Sequence, residues 1–147
     1  MNLDKYVVQE LRNGNVYAFI SAGIKGDVLK VVQYEKTAEG DTYNLAFGDF
    51  NVETGELDDR SITNNGDREK VLATVAATVV DFLNSHPHAK VRAQGSTEVR
   101  TWLYQRKLNQ YFEEVTENFS LWGRTAAGWE EFERNKDYQA FLIQPKS

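Results

Sequence analysis

The sequence predicts an α+β fold, an antiparallel meander sheet with a buried helix, in the order ββββ-α-β-α-ββ. Two observations carry that expectation. Residues 15–62 read as strand-like segments, alternating or rich in β-branched residues, between closely spaced turns. Val71 to Leu83 is apolar around most of a helical circumference, which is the pattern of a helix covered on most sides. The 147 residues, 41% hydrophobic and 27% charged, fit one domain spanning 1–147.

The elements follow in order. "NVYAFISAG" sets Tyr17 and Phe19 on one face and Val16, Ala18 and Ile20 on the other. Gly26-Asp27 supplies turn chemistry, and "VLKVVQYEK" is rich in β-branched residues. "AEGD" turns again. "TYNLAFGDF" then places Tyr43, Leu45 and Phe47 together, opposite Thr42, Asn44 and Ala46. "ETGE" is a third turn before "LDDRSI", a more polar fourth strand. In "NNGD", Asn65 or Asp67 is placed to cap the first helix. That helix carries a narrow polar stripe of Thr74, Thr78, Asp81 and Ser85, and His86-Pro87 ends it. "AKVRAQG" alternates as a fifth strand. A second helix begins near Ser96 or Thr97 and continues through Leu108, Tyr111, Phe112, Val115 and Phe119, with a slip of phase at Lys107 to Asn109 that predicts a kink or break. The remainder reads as two or three strands with turns at Ala127-Gly128 and Asn135-Lys136.

The combination of "YNLAFGD", "NNGDREKVLATVAATV" and "GSTEVRTWLYQ" resembles a family of small bacterial proteins grouped as a domain of unknown function. The landmarks are Tyr43 to Asp49, Asn64 to Asp67 with the Val71 to Val75 run, and Gly95-Ser96-Thr97 followed by Arg100, Leu103 and Tyr104. The likeness covers nearly the whole chain. It implies bacterial origin and a cytoplasmic protein, and it implies no particular activity. One departure is that the family more often has a glycine near position 107 and a tryptophan near position 112, where this chain has Lys107 and Phe112.

Charge singles out one region. Residues 90–107 hold Lys90, Arg92, Arg100, Arg106 and Lys107 against Glu98 alone, a net +4 in a chain of net −5. Within it, Gly95-Ser96-Thr97 leads into a helix. Free N–H groups at a helix start, with the positive end of the dipole behind them, form a receptor for phosphate or carboxylate, and Arg100 lies one turn in. The plainer alternative is an N-cap worth about 1 kcal/mol, with Arg100 paired to a nearby carboxylate. The same cations can track a nucleic-acid backbone, with Tyr17, Phe19, Tyr34 and Tyr43 stacking on bases, unless those aromatics are core.

Other chemistry is sparse. The chain has no cysteine, which excludes disulfides, thiolate chemistry and cysteine-based zinc sites and fits a reducing compartment. His86 and His88 flank a proline in a helix-to-strand connection with too few oxygen donors for a metal. Carboxylates abound at Asp49, Asp58, Asp59, Asp67, Asp81, Glu113 and Glu114, and Asp49 is the most interesting because it follows Phe47-Gly48 at a strand end. Asn64, Asn65 and Asp67 read as turn and helix-start residues. No GxSxG, HExxH, P-loop or other nucleotide motif names an enzyme or a cofactor. The opening residues lack a basic segment leading into an apolar one, so no signal peptide is expected, and the longest apolar run is too short to cross a bilayer of about 30 Å.

The expected function is therefore a small non-enzymatic binding module. Its ligand is expected to be single-stranded nucleic acid or another phosphate-bearing molecule, held by Lys90, Arg92, Gly95, Ser96, Thr97, Arg100, Arg106 and Lys107. The alternatives are a protein-interaction module, one half of a toxin–antitoxin-like pair anchored by Trp122 and Trp129, and an enzyme on a phosphorylated small molecule at the Gly95 loop. A strand binder calls for an open groove there, and a small-molecule site calls for a pocket.

Overall fold

A computed structural model describes residues 4–58, 64–95 and 97–146. The fold is α+β, with three helices on one side of a mostly antiparallel mixed sheet. The strands are β1 (Gln9–Leu11), β2 (Val16–Gly23), β3 (Gly26–Lys36), β4 (Thr42–Asn51) and β5 (Glu56–Asp58) before the first helix, α1 (Arg68–Ser85). Then come β6 (Lys90–Ala93), α2 (Glu98–Gln110), α3 (Phe112–Asn118), β7 (Phe119–Thr125), β8 (Gly128–Glu131) and β9 (Ala140–Pro145). The sheet runs β1-β2-β3-β4-β6-β9-β7-β8, with β5 pairing on β4. Only β4 and β6 are parallel. That pairing is permitted by the long crossover through α1, which a parallel connection requires.

The predicted order is matched in part. A three-residue strand, β1, precedes the meander; its residues are all exposed, so no alternation marks it. The tail has three strands. The second helix is broken at Tyr111, two residues past the slip of phase, and α3 follows. Residues 59–62 of the predicted fourth strand lie outside the described residues.

Register fixes two faces. Tyr17, Phe19 and Ser21 of β2 align with Val32, Lys30 and Val28 of β3, and Tyr43, Leu45, Phe47 and Asp49 of β4 continue the same face. The helices cover this side. Tyr17, Phe19 and Tyr34 are buried in the core, so they are unavailable for base stacking, and Tyr43 packs against it. Phe82 of α1 is fully buried and stacks on Tyr34 with centroids 4.2 Å apart.

The first half of the polar stripe of α1 faces inward, while Asp81 and Ser85 are exposed. Thr74 and Thr78 are buried, and their hydroxyls meet the Tyr6 N–H at 2.9 Å and the Tyr34 hydroxyl at 2.8 Å. Tyr17 donates to Asp81 at 2.7 Å; burial, aided by that carboxylate, raises the Tyr17 hydroxyl far above its usual pKa. Past its first turn, the half-buried residues of α1 are Ala76, Ala77, Val79 and Val80 instead. His86 closes the helix, its Nδ1 2.9 Å from the Phe82 carbonyl oxygen. No helix among the described residues is long and apolar enough to cross a membrane.

The β2–β3 turn sits two residues earlier than Gly26-Asp27 predicts. Ile24 and Lys25 make it, and Gly26, with φ +90°, already pairs with Gly23. The cause is tertiary. Asn65 arrives from the start of α1, accepting the Lys25 N–H at 2.6 Å and donating to the Gly26 carbonyl at 2.8 Å. Its own carbonyl accepts the Ile24 N–H at 3.1 Å. A side chain at Gly23 would collide with that carbonyl, so glycine is needed for the approach.

Candidate functional site

The Asn65 contact begins a polar network beneath the first turn of α1. Asn65 is 1% exposed and donates to the Ser21 hydroxyl at 3.1 Å. Ser21, fully buried, donates to Asp67 at 2.5 Å, and Tyr6 donates to the same carboxylate oxygen at 2.5 Å. Asp67 holds the N-cap position of α1 without capping it through its side chain. Burial pushes its carboxyl upward, but the Ser21 and Tyr6 hydrogen bonds and the nearby Lys30 charge outweigh that and hold it below its usual pKa. Burial raises the Tyr6 hydroxyl, and the bond to Asp67 adds to the rise.

Lys30 lies beside this network on β3. It is 1% exposed, and its ammonium sits 2.6 Å from Asp49 on β4. Burying such a pair costs desolvation that the attraction only partly offsets, so it is an unusual choice for stability alone.

Lys30 forms the floor of a pocket of about 300 Å³. One wall is the start of α1, with Asn64, Asn65, Asp67 and Arg68; the other is the start of α2, with Thr97 and Arg100. Phe47, Tyr104 and the aliphatic Val71, Leu72, Val99 and Leu103 complete it, so the lining is mixed. Among the described residues that line it, Lys30, Arg68 and Arg100 are the cations and Asp67 the carboxylate, and Asp49, with Asp58 opposite it on β5, lies behind Lys30. A helix start carries the positive end of the helix dipole, and the starts of two helices border this space. A larger, shallow depression of about 630 Å³ lies on the outer side of the α1 turn, by Asp4 and Lys70, where every wall residue is exposed or half-buried.

The basic stretch of residues 90–107 is divided by the sheet. Val91 and Ala93 point into the core, so Lys90 and Arg92 stand on the opposite, helix-free face, where Arg92 donates to Gln94 at 2.9 Å. Arg100, Arg106 and Lys107 are on the helix side. Arg100 reaches the pocket and lies 3.4 Å from the Phe47 carbonyl. Arg106 lies over the exposed ring of Trp102, 4.9 Å from its centroid. Lys107 pairs with Glu69 and so bridges α2 to α1; that hydrogen bond, chiefly, holds the Glu69 carboxyl below its usual value.

The loop before α2 is organised differently from a simple anion nest. The Gly95 N–H is used internally, donating to the Thr101 hydroxyl at 3.0 Å. Gly95 is required there because a Cβ would strike the Thr101 nitrogen and the Arg100 Cβ. Thr97 is the N-cap and accepts the Arg100 N–H at 3.2 Å, as the capping reading expects. Ser96 lies outside the described residues. Trp122 and Trp129 both lie on the helix-free face, half-buried and 42% exposed respectively. No group of three or more metal-ligating side chains occurs among the described residues.

Sequence reasoning passed over Lys30. The signal was present: in "VLKVVQYEK" the lysine is in phase with Val28, Val32 and Tyr34, and Asp49 is in phase with Leu45 and Phe47. Opposite charges in the inward phase of adjacent strands mark a buried pair. The three landmark stretches also meet here. Phe47 with the Asp49 partner of Lys30, Asn64 to Asp67 with Val71, and Thr97 with Arg100, Leu103 and Tyr104 surround one space.

Fold and pocket together define a small α+β protein with a polar cleft where two helix starts meet. The chain belongs to DUF6934, a family of unknown function, which matches residues 2–146. No curated protein and no solved structure matches it.

Proposed function

We propose that the protein is a binding module for a small phosphate-bearing ligand, held in the pocket between the starts of α1 and α2. The observation that carries this reading is convergence: two helix N-termini, Arg68, Arg100 and the buried Lys30 share about 300 Å³. Arginine suits the task because its fork can meet two phosphate oxygens at once. Asn64 and the Thr97 turn add neutral polar contacts. A small molecule is favoured over a nucleic-acid strand because the space is a pocket and because Lys90 and Arg92 stand on the other face of the sheet.

The test is calorimetric titration with pyrophosphate at low and high salt. Arg68→Ala and Arg100→Ala should each weaken binding by about tenfold, the size expected for a lost charge-assisted hydrogen bond. Lys90→Ala and Arg92→Ala should leave it unchanged. Equal binding by Arg100→Ala, or an oligothymidine that binds more tightly than pyrophosphate and loses affinity in Arg92→Ala, would overturn the reading.

A further inference from the structure

The polar pocket has an apolar neighbour. A second cavity, of about 280 Å³, lies between α1 and the α2–α3 pair, over β6 and β9. Leu72 and Tyr104 line both spaces. Beyond them the second cavity is walled mainly by aliphatic side chains, among them Val75, Val79, Leu108 and Val115. Lys107 and Glu114 are the charged residues that border it.

The helix facing this cavity is oriented against ordinary practice. A surface helix turns its polar side outward. Here Thr74 and Thr78 are buried, while Ala76, Val79 and Val80 are left half-buried along the cavity. Apolar walls left partly open to water gain free energy when an apolar guest covers them. The arrangement suits an apolar group that the described residues do not supply. The adjoining cations specify what that group is attached to.

We infer that the ligand is a monomeric amphiphile: its phosphate group occupies the pocket of Arg68, Arg100 and Lys30, and a short apolar tail passes Leu72 and Tyr104 into the neighbouring cavity. This rests on the phosphate-binding reading above and adds the tail. A space of 280 Å³ is the volume of roughly nine waters, which suits a saturated tail of about eight carbons.

The experiment is a calorimetric series with inorganic phosphate and methyl, butyl and octyl phosphate, each below its micellar concentration. Affinity should rise about fourfold for each methylene buried and then level off near eight carbons. Ala76→Phe fills the cavity and should flatten the series while leaving inorganic-phosphate binding at the wild-type value. A second readout needs no variant: methyl resonances of Val75, Val79 and Val115 should shift with octyl phosphate and stay in place with methyl phosphate. A flat series in wild type, with phosphate still bound, sinks the tail and leaves the phosphate reading standing. Loss of all phosphate binding sinks both. Octanol binding as tightly as octyl phosphate, or Ala76→Phe binding octyl phosphate as wild type does, also overturns the inference. So does co-sedimentation with anionic phospholipid vesicles without binding of the monomeric phosphate, because the ligand would then be a bilayer.

Discussion

At its first turn α1 rests on a lysine, an asparagine and a carboxylate; two turns later the same helix faces α2 with valine and alanine. The helix opposite changes in step, from Thr97 and Arg100 to Tyr104 and Leu108. The polar end is tightly partnered. Ser21, Asn65, Asp67 and Tyr6 form an unbroken chain of hydrogen bonds, and Lys30 meets Asp49. The apolar end is loosely filled. The difference shows how the two kinds of space are kept open. Polar groups hold a cavity by being fixed to one another, because each lost partner leaves a desolvated group behind. Aliphatic walls hold one only because surrounding elements cannot collapse onto it.

The sharpest way to break the polar end is Asp49→Ala. It leaves Lys30 buried without that carboxylate and should cost about 3–5 kcal/mol in urea unfolding. The paired change Lys30→Met with Asp49→Leu should recover most of that loss and still abolish pyrophosphate binding, which separates the fold's need from the ligand's. Gly95→Ala comes next. Its Cβ collides with the first turn of α2, so about 1–3 kcal/mol is expected, together with weaker pyrophosphate binding as Arg100 is displaced.

Acid then distinguishes the two ends. Asp67 has a folded pKa below its unfolded value, so the stability it contributes is present above about pH 4 and is lost as pH falls through the folded pKa. Wild type should weaken steeply below about pH 4, and Asp67→Asn should show a shallower acid limb. Changes along the apolar walls should leave that limb untouched. The smallest effect is expected at the bridge between the ends. Glu69 is 71% exposed, so Lys107→Ala should cost less than about 1 kcal/mol, and that little should shrink further in high salt.

The meander was legible because each strand alternates cleanly and three turns fall between the strands. The buried helix was legible because little but its threonine stripe is polar. What stayed hidden came from contacts distant in sequence. The β2–β3 turn moved because Asn65, about forty residues further on, supplies the partners that Gly26-Asp27 would otherwise have provided. The inward turn of Thr74 and Thr78 depends on Tyr6 and Tyr34, which no local pattern in α1 announces. The site was half-legible. Thr97 and Arg100 are where the sequence places them. Lys90 and Arg92 are separated from them by a period of two, since a strand sends alternate side chains to opposite faces, and net charge along a chain takes no account of which face it is on.

The position of β9 has a consequence for how the molecule is made. This strand, latest in the sequence, is hydrogen-bonded to β6 on one side and β7 on the other, and its Phe141 is wholly enclosed. A ribosome that has released everything as far as residue 139 therefore holds two half-sheets with unsatisfied edges. β9 is the keystone that joins them, so the nascent protein stays exposed to chaperones and proteases until that strand has emerged.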